Sequence, residues 1–239
     1  MTLPAPRPCA DAASSRFAGF SMAGLEALAA LARDNTKATF DLHREGIDEG
    51  LIEPAKRFVT ALATRLGTAV SPGIEARPRV DGSIFRLRRD TRFSKDKSPY
   101  KTRLTMFVWE GEHRKRSPGF YLSLSPNRVQ LGVGRMVIDD LERYRKAVDE
   151  PRSGEALVAA ITKAQRALPG LTLSEPALKR VPRGFDPLHP RARWLRCKVL
   201  HAMLDVPMPG AVDGPEFLDW TVDRFLPFRD LHRWFVANT

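Results

Sequence analysis

The residues best suited to binding chemistry lie in one short stretch, residues 84–101, where arginines, lysines and aspartates alternate with apolar residues. A guanidinium group is planar and forms two parallel hydrogen bonds to a phosphate or a carboxylate. The stretch therefore predicts an anion site in which two or more of its cations form a fork around the ligand. The candidate ligand-binding residues here are Arg86, Arg89, Arg92, Lys97 and Lys101.

Three further residues of this stretch are candidates for catalysis. Asp90 and Asp96 would orient the arginines or act as acid and base, and Tyr100 would donate a hydrogen bond to the ligand or stack on it. The alternative is structural: an internal network of Arg and Asp that holds a sheet edge against a helix. The sequence leaves both interpretations open.

The conformation of the stretch also has two solutions. In a regular strand Arg89 would point into the core beside Leu87, which is tolerable only if Asp90 or Asp96 pairs with it. Alternatively, the strand ends near Arg88 and the rest is a loop. Pro99 favours the loop, because it forces the residue before it into an extended conformation.

The net charge of +11 is concentrated in two segments. Residues 77–116 contain 13 Lys or Arg against 5 Asp or Glu, and residues 179–198 contain seven against one. Such a surface attracts anions: a phosphorylated metabolite, nucleic acid or an acidic protein. It would also occur as a plain solvated basic face. We expect the second segment to form another wall of the same site, through Lys179, Arg180 and Arg183.

The preferred prediction is a site for an anionic, phosphate-bearing small molecule, with enzymatic activity left open. The first alternative is a nucleic-acid-binding module, because the basic segments include Phe93, Tyr100, Phe107 and Trp109, although no helix-turn-helix, RNP or zinc-finger signature is present. The second alternative is a non-catalytic scaffold that acts through protein contacts. The sequence does not identify a cofactor or an oligomeric state.

Several other classes are excluded or disfavoured. Two cysteines cannot form a disulfide framework, and no apolar run is long enough to cross a membrane, so we expect a cytoplasmic protein without a membrane partner. Residues 1–15 lack the apolar centre of a secretory signal. No metal site is predicted, because the five histidines lack zinc-ligand spacing. Each is expected to be a surface residue or a satisfied polar one: His43, His113, His189, His201 and His232.

The elements that must position the site follow from hydrophobic periodicity. Helical spacing dominates the first third, alternation typical of strands the middle, and helical spacing returns towards the end. Short turns between the strands favour hairpins. The sequence thus predicts an α+β fold in one domain: N-terminal helices, a central antiparallel sheet and C-terminal helices over residues 17–239, after a flexible tail of residues 1–16.

Particular elements are predicted as well. Strands are expected at residues 84–87, 102–109, 120–125 and 128–133, and Leu195, Val199, Ala202 and Met203 are spaced as on a helix. Gly67 is expected to end one helix and Ser153 to cap another. Asp34 and Asn35 are expected to end the first helix and to cap the second.

The chain resembles the DUF2461 family. The family signature of Arg, two residues, Arg-Asp, one residue, Arg-Phe, then Asp-Lys and a Tyr is matched by Arg86, Arg89, Asp90, Arg92, Phe93, Asp96, Lys97 and Tyr100. Residues 35–40 and 178–186 resemble its N-terminal helix start and its C-terminal basic segment, although Thr39 stands where the family has Trp. The resemblance implies a fold and a site at the signature, and it implies no reaction.

Overall fold

The N-terminal third is helical. The computed structural model describes residues 16–239, so the predicted tail lies outside the described residues except for Arg16. Ser21 accepts a hydrogen bond from the Ala23 N–H at the start of the first helix. Thr36 caps the second helix in the same way. The helices are α1 (Met22–Arg33), α2 (Lys37–Leu42), α3 (Arg44–Ile47) and α4 (Glu53–Ala69), with a π-helical turn at Asp48–Ile52 before α4.

The centre of the fold is a six-stranded antiparallel sheet with the order β1-β2-β3-β4-β6-β5. Three strands, β2 to β4, follow one another as hairpins, as the short turns predicted. The strands are β1 (Ile74–Glu75), β2 (Leu104–Glu110), β3 (Gly119–Leu124), β4 (Arg128–Arg135), β5 (Thr172–Leu173) and β6 (Leu200–Pro207).

The remaining helices lie between β4 and β6 and after β6. Pro215 precedes the penultimate helix, and a short 3-10 turn at Leu226–Phe228 separates it from the last one. Both of these helices contact β4. The helices are α5 (Leu141–Asp149), α6 (Pro151–Ala167), α7 (Ala192–Leu195), α8 (Glu216–Phe225) and α9 (Arg229–Asn238).

The two faces of the sheet differ in what they contain. Alternate strand residues join the helices in one apolar core: Leu104, Met106, Val108, Phe120, Leu122, Leu131, Val133, Ala202 and Leu204. We call this side the helix face. Because successive strand residues point to opposite sides, the residues between them form a second face, and none of these belongs to that core: Phe107, Trp109, Tyr121, Gly132, Gly134, His201 and Met203.

The fold class is confirmed, but several elements differ from the prediction. Residues 200–203 form β6, because their alternation places Ala202 in the core and Met203 on the second face. Residues 84–87 do not form a strand: Ile84 makes isolated bridges to Val80 and Met106, and the three residues after it make none. The helix expected to end at Gly67 continues to Ala69. Thr36 caps α2, instead of Asp34 or Asn35.

The cap of α6 also differs. The Glu150 carboxylate, not Ser153, accepts the first free N–H groups of the helix, from Arg152 and Ser153. A carboxylate is well suited to this position because it also complements the positive end of the helix dipole.

Candidate anion-binding site

The signature stretch lies along the free edge of β2, on the side of β1. The Phe85 N–H donates to the Thr105 carbonyl at 2.9 Å, and the Phe107 N–H donates to the Ser83 carbonyl at 2.8 Å. Two more backbone bonds close a hairpin-like loop: the Lys101 N–H to Leu87 and the Arg89 N–H to Pro99. The regular pairing thus ends near Arg88, which bridges Tyr100, and residues 90–98 form a loop.

Arg89 does not enter the core. Its side chain is 30% exposed and forms an ion pair with Asp96 across the loop. Of the two carboxylates considered as its partner, the structure selects Asp96. Asp96 also accepts hydrogen bonds from the Ser98 N–H at 2.9 Å and the Ser98 hydroxyl at 2.6 Å. The loop is therefore held by one carboxylate that serves three donors.

Two more arginines are oriented by aspartates. The Arg92 guanidinium donates to both Asp90 oxygens, at 2.9 and 2.7 Å, in a bidentate pair. The Arg86 Nε donates to Asp81 at 3.1 Å. Both pairs are solvent-exposed, so they contribute little to the stability of the fold. Their effect is to restrict the directions of the guanidinium groups.

These side chains line one recess of about 570 Å³, which we call the cationic recess. Five cations and two carboxylates surround it, together with one aromatic ring. The lining residues are Asp81, Phe85, Arg86, Arg88, Arg89, Asp90, Arg92 and Lys101. Three of the five cations are paired, whereas Arg88 and Lys101 make no ion pair or side-chain hydrogen bond with any residue from 16 to 239.

Lys101 carries the clearest electrostatic signal in the recess. Its ammonium group lies over the Phe85 ring, 5.5 Å from the centroid. Burial lowers its pKa from the ordinary value, and the positive charges of Arg103, Arg86 and Arg89 lower it further, opposed by Asp81. Like charges lower the pKa of a lysine where the nearby positive charge exceeds the nearby negative charge. Such an excess of positive charge also attracts an anion.

Asp90 and Asp96 are ionised throughout the neutral range. Hydrogen bonds from Arg92 lower the pKa of Asp90 to about 2, and those from Ser98 and then Arg89 lower the pKa of Asp96 to about 2. A carboxyl group with such a pKa cannot serve as a general acid near neutral pH and is a weak base. The geometry of both carboxylates therefore corresponds to orientation of the arginines rather than to acid–base chemistry.

Tyr100 has a structural position. It is buried, and its ring stacks on Phe40 of α2 with centroids 4.3 Å apart. Its backbone is held by the Asn35 side chain, which accepts from the Tyr100 N–H at 2.9 Å and donates to the Tyr100 carbonyl at 3.1 Å. Tyr100 thus anchors the base of the loop to the N-terminal helices and is not placed for stacking on a ligand.

The other predicted ligand residues are not brought to the recess. The Lys97 ammonium donates to the Thr91 carbonyl within the loop. The segment with Lys179, Arg180 and Arg183 follows β5 at the far edge of the sheet. There the Leu178 N–H donates to the Arg196 carbonyl, and the Arg196 guanidinium donates to the Lys179 carbonyl. The second basic segment therefore does not line the cationic recess.

Sequence reasoning missed three lining residues, namely Arg88, Phe85 and Asp81. Phe85 and Arg88 lie within residues 84–101. Because the backbone pairing ends near Arg88, the side chains point in directions that a regular strand would not give them. Asp81 precedes the stretch. It has a positive φ of 62° in a turn and returns its carboxylate towards Arg86.

One histidine differs from its prediction. His232 is fully buried, and its Nε2 lies 2.8 Å from a Glu110 oxygen, while its Nδ1 has no partner within residues 16–239. Burial lowers the pKa of His232, although Glu110 opposes the effect. The Ser71 hydroxyl donates to the other Glu110 oxygen at 2.7 Å. The carboxylate lies between Ser71 and His232, so this is not the order of a hydrolase triad.

Comparison with known proteins identifies the class of this chain. The family model described as a conserved hypothetical protein, DUF2461, matches residues 24–234. The match covers most of the chain, so the protein belongs to the DUF2461 family. A search of curated proteins gave no match. Within residues 16–239, none of the helices is long and apolar enough to cross a membrane. The same residues contain no group of three or more His, Cys, Asp or Glu side chains that could hold a metal ion.

Proposed function

We propose that the protein binds an anionic, phosphate-bearing small ligand in the cationic recess. The observation that supports this most directly is that Arg88 and Lys101 have no ion-pair partner among residues 16–239 and lie beside three arginines already oriented by aspartates. A phosphate placed there would accept charge-assisted hydrogen bonds from groups that need little reorganisation.

The recess supports binding better than it supports catalysis. Its two carboxylates are committed to guanidinium groups, and both predicted acid–base residues are strongly ionised. We infer that the activity at this site is recognition of the anion. We also infer a cytoplasmic location, because the chain has only two cysteines and Cys197 is buried and forms no disulfide within residues 16–239.

The test is calorimetric titration with pyrophosphate at low ionic strength, comparing wild type with Lys101→Met. Methionine retains an unbranched apolar side chain over Phe85 and removes the charge. Loss of a hydrogen bond to a charged group should weaken binding by about 10- to 100-fold.

Lys198→Met is the matched control, because it removes the same charge from an exposed lysine near the far edge of the sheet. It should leave the affinity almost unchanged. An equal loss in both variants would mean that net charge alone attracts the probe. Absence of pyrophosphate binding to wild type would contradict the proposal.

A further inference from the structure

A second cavity lies on the second face of the sheet. Its volume is about 270 Å³, and its walls include Phe107, Tyr121, Met203 and His201. Two lining residues, Gly119 and Gly134, lie opposite each other in β3 and β4 and contribute no side chain to the floor. We call it the aromatic cavity.

The strand register places the recess and the cavity on the same face. Ile84 bridges Met106 and belongs to the core, so the next residue, Phe85, points to the second face. Phe107 and Tyr121 are directly opposite each other on that face. Phe85 lies opposite Thr105, one row away from Phe107 and Tyr121 on the same face. The backbones of Phe85 and Tyr121 are thus separated by two strand spacings across the sheet and two residues along it, about 12 Å.

The cavity has the size and the chemistry of a site for one planar ring system. It is smaller than the roughly 300–1,000 Å³ of pockets for drug-sized ligands. Its walls combine two aromatic rings with polar groups that could reach the edge of a ring, from Gln130 and His201. Burial lowers the pKa of His201, so its imidazole is neutral at neutral pH and presents one donor and one acceptor.

A further cation lies at the wall of the recess that Phe85 forms. The Arg114 guanidinium lies over the face of Phe85, 4.7 Å from its centroid, and donates a hydrogen bond to the Gly82 carbonyl. A ligand that spans the two sites would therefore meet positive charge at one end and aromatic surface at the other.

We propose that the phosphate-bearing ligand is a nucleotide, free or within a single strand, with its phosphates in the cationic recess and its base in the aromatic cavity. This inference rests on the proposed function and adds the base to it. Base–aromatic stacking and phosphate contacts are the two terms by which proteins bind unpaired nucleotides.

The experiment measures the affinity of wild type for pyrophosphate, for ADP and for a short single-stranded oligodeoxythymidylate, and repeats the titrations with Tyr121→Ala. The base-containing probe should bind more tightly than pyrophosphate. Tyr121→Ala should weaken it by about 5- to 100-fold while leaving pyrophosphate unchanged. Tyr121→Phe, which keeps the ring, is the matched control and should bind like wild type.

The outcomes separate the two proposals. A response to ADP alone assigns a free nucleotide, and a tighter response to the oligonucleotide assigns a strand. If wild type binds pyrophosphate at least as tightly as both base-containing probes, the nucleotide inference is wrong and the phosphate site remains. Equal weakening of all probes by Tyr121→Ala, or ADP binding that persists in Lys101→Met, would also overturn it. If no probe binds, both proposals fail.

Discussion

Two regions of the molecule pair carboxylates with histidine or arginine side chains, and they differ in the charge state that the surroundings favour. On the helix face, Glu110 meets a fully buried His232, and burial favours the neutral imidazole. At the cationic recess and in the adjoining loop, Asp90 and Asp96 pair with arginines in water, and the carboxylates stay ionised to about pH 2. At His232 burial outweighs the pairing, whereas in the exposed loop the hydrogen bonds themselves keep the carboxylates ionised. Of these two regions, the recess is the one with charge available for a ligand.

The largest expected effect would come from breaking the interior region. Phe120 is 1% exposed and packs against Phe225 and His232, with centroids 5.0 and 4.8 Å away. Phe120→Ala should lower the free energy of unfolding by about 3–5 kcal/mol, because it removes buried apolar area and leaves a cavity. Urea denaturation measures this. A loss below about 1 kcal/mol would mean that the helix face is not close-packed around β3.

The pH dependence of stability sharpens the comparison next. The pKa of His232 is lowered in the folded protein, so below about pH 6.5 the unfolded chain binds the proton more readily. This contribution to stability is complete above that pH and is lost as the pH falls. His232→Gln keeps a donor for Glu110 and cannot titrate. Its urea midpoint should therefore fall less than that of wild type between pH 7 and pH 5.

The two proteins differ only at residue 232. Glu110 and Arg233, the charged neighbours of His232, are present in both. Parallel curves for the two proteins would contradict the assignment of the pH dependence to His232.

The sequence predicted the architecture well and the site only in part. Periodicity identified the three hairpin strands and the helical thirds because each of those elements has one clear apolar side. It misassigned residues 200–203, where apolar residues fit both periods and pairing with β4 and β5 makes residues 200–207 a strand. The signature located the cationic recess. Which cations line the recess depends on where the backbone pairing stops, near Arg88. The aromatic cavity depends on the register of β2, β3 and β4, and a local sequence pattern does not contain the register.

A smaller effect on stability is expected within the recess. Arg89→Ala removes the ion pair with Asp96 but leaves the Arg89 backbone bond to Pro99 in place. Because partly exposed pairs contribute little, the free energy of unfolding should fall by no more than about 1 kcal/mol, whereas pyrophosphate binding should weaken markedly. Denaturation and calorimetry on the same sample test both statements. A variant that fails to fold would make the recess a structural network instead.

The smallest effect is expected at the tip of the loop. Phe93 is 96% exposed, and its ring has the Arg92 guanidinium at 5.9 Å from its centroid. It buries almost no apolar area, so Phe93→Ala should leave the urea midpoint unchanged within error, in contrast to the same substitution at Phe120. The two phenylalanines thus provide the same chemical change in the two regions. A measurable fall in the urea midpoint of Phe93→Ala would show that the loop packs against the protein in solution. The contrast between a buried interior and a recess open to water would then not hold at this loop.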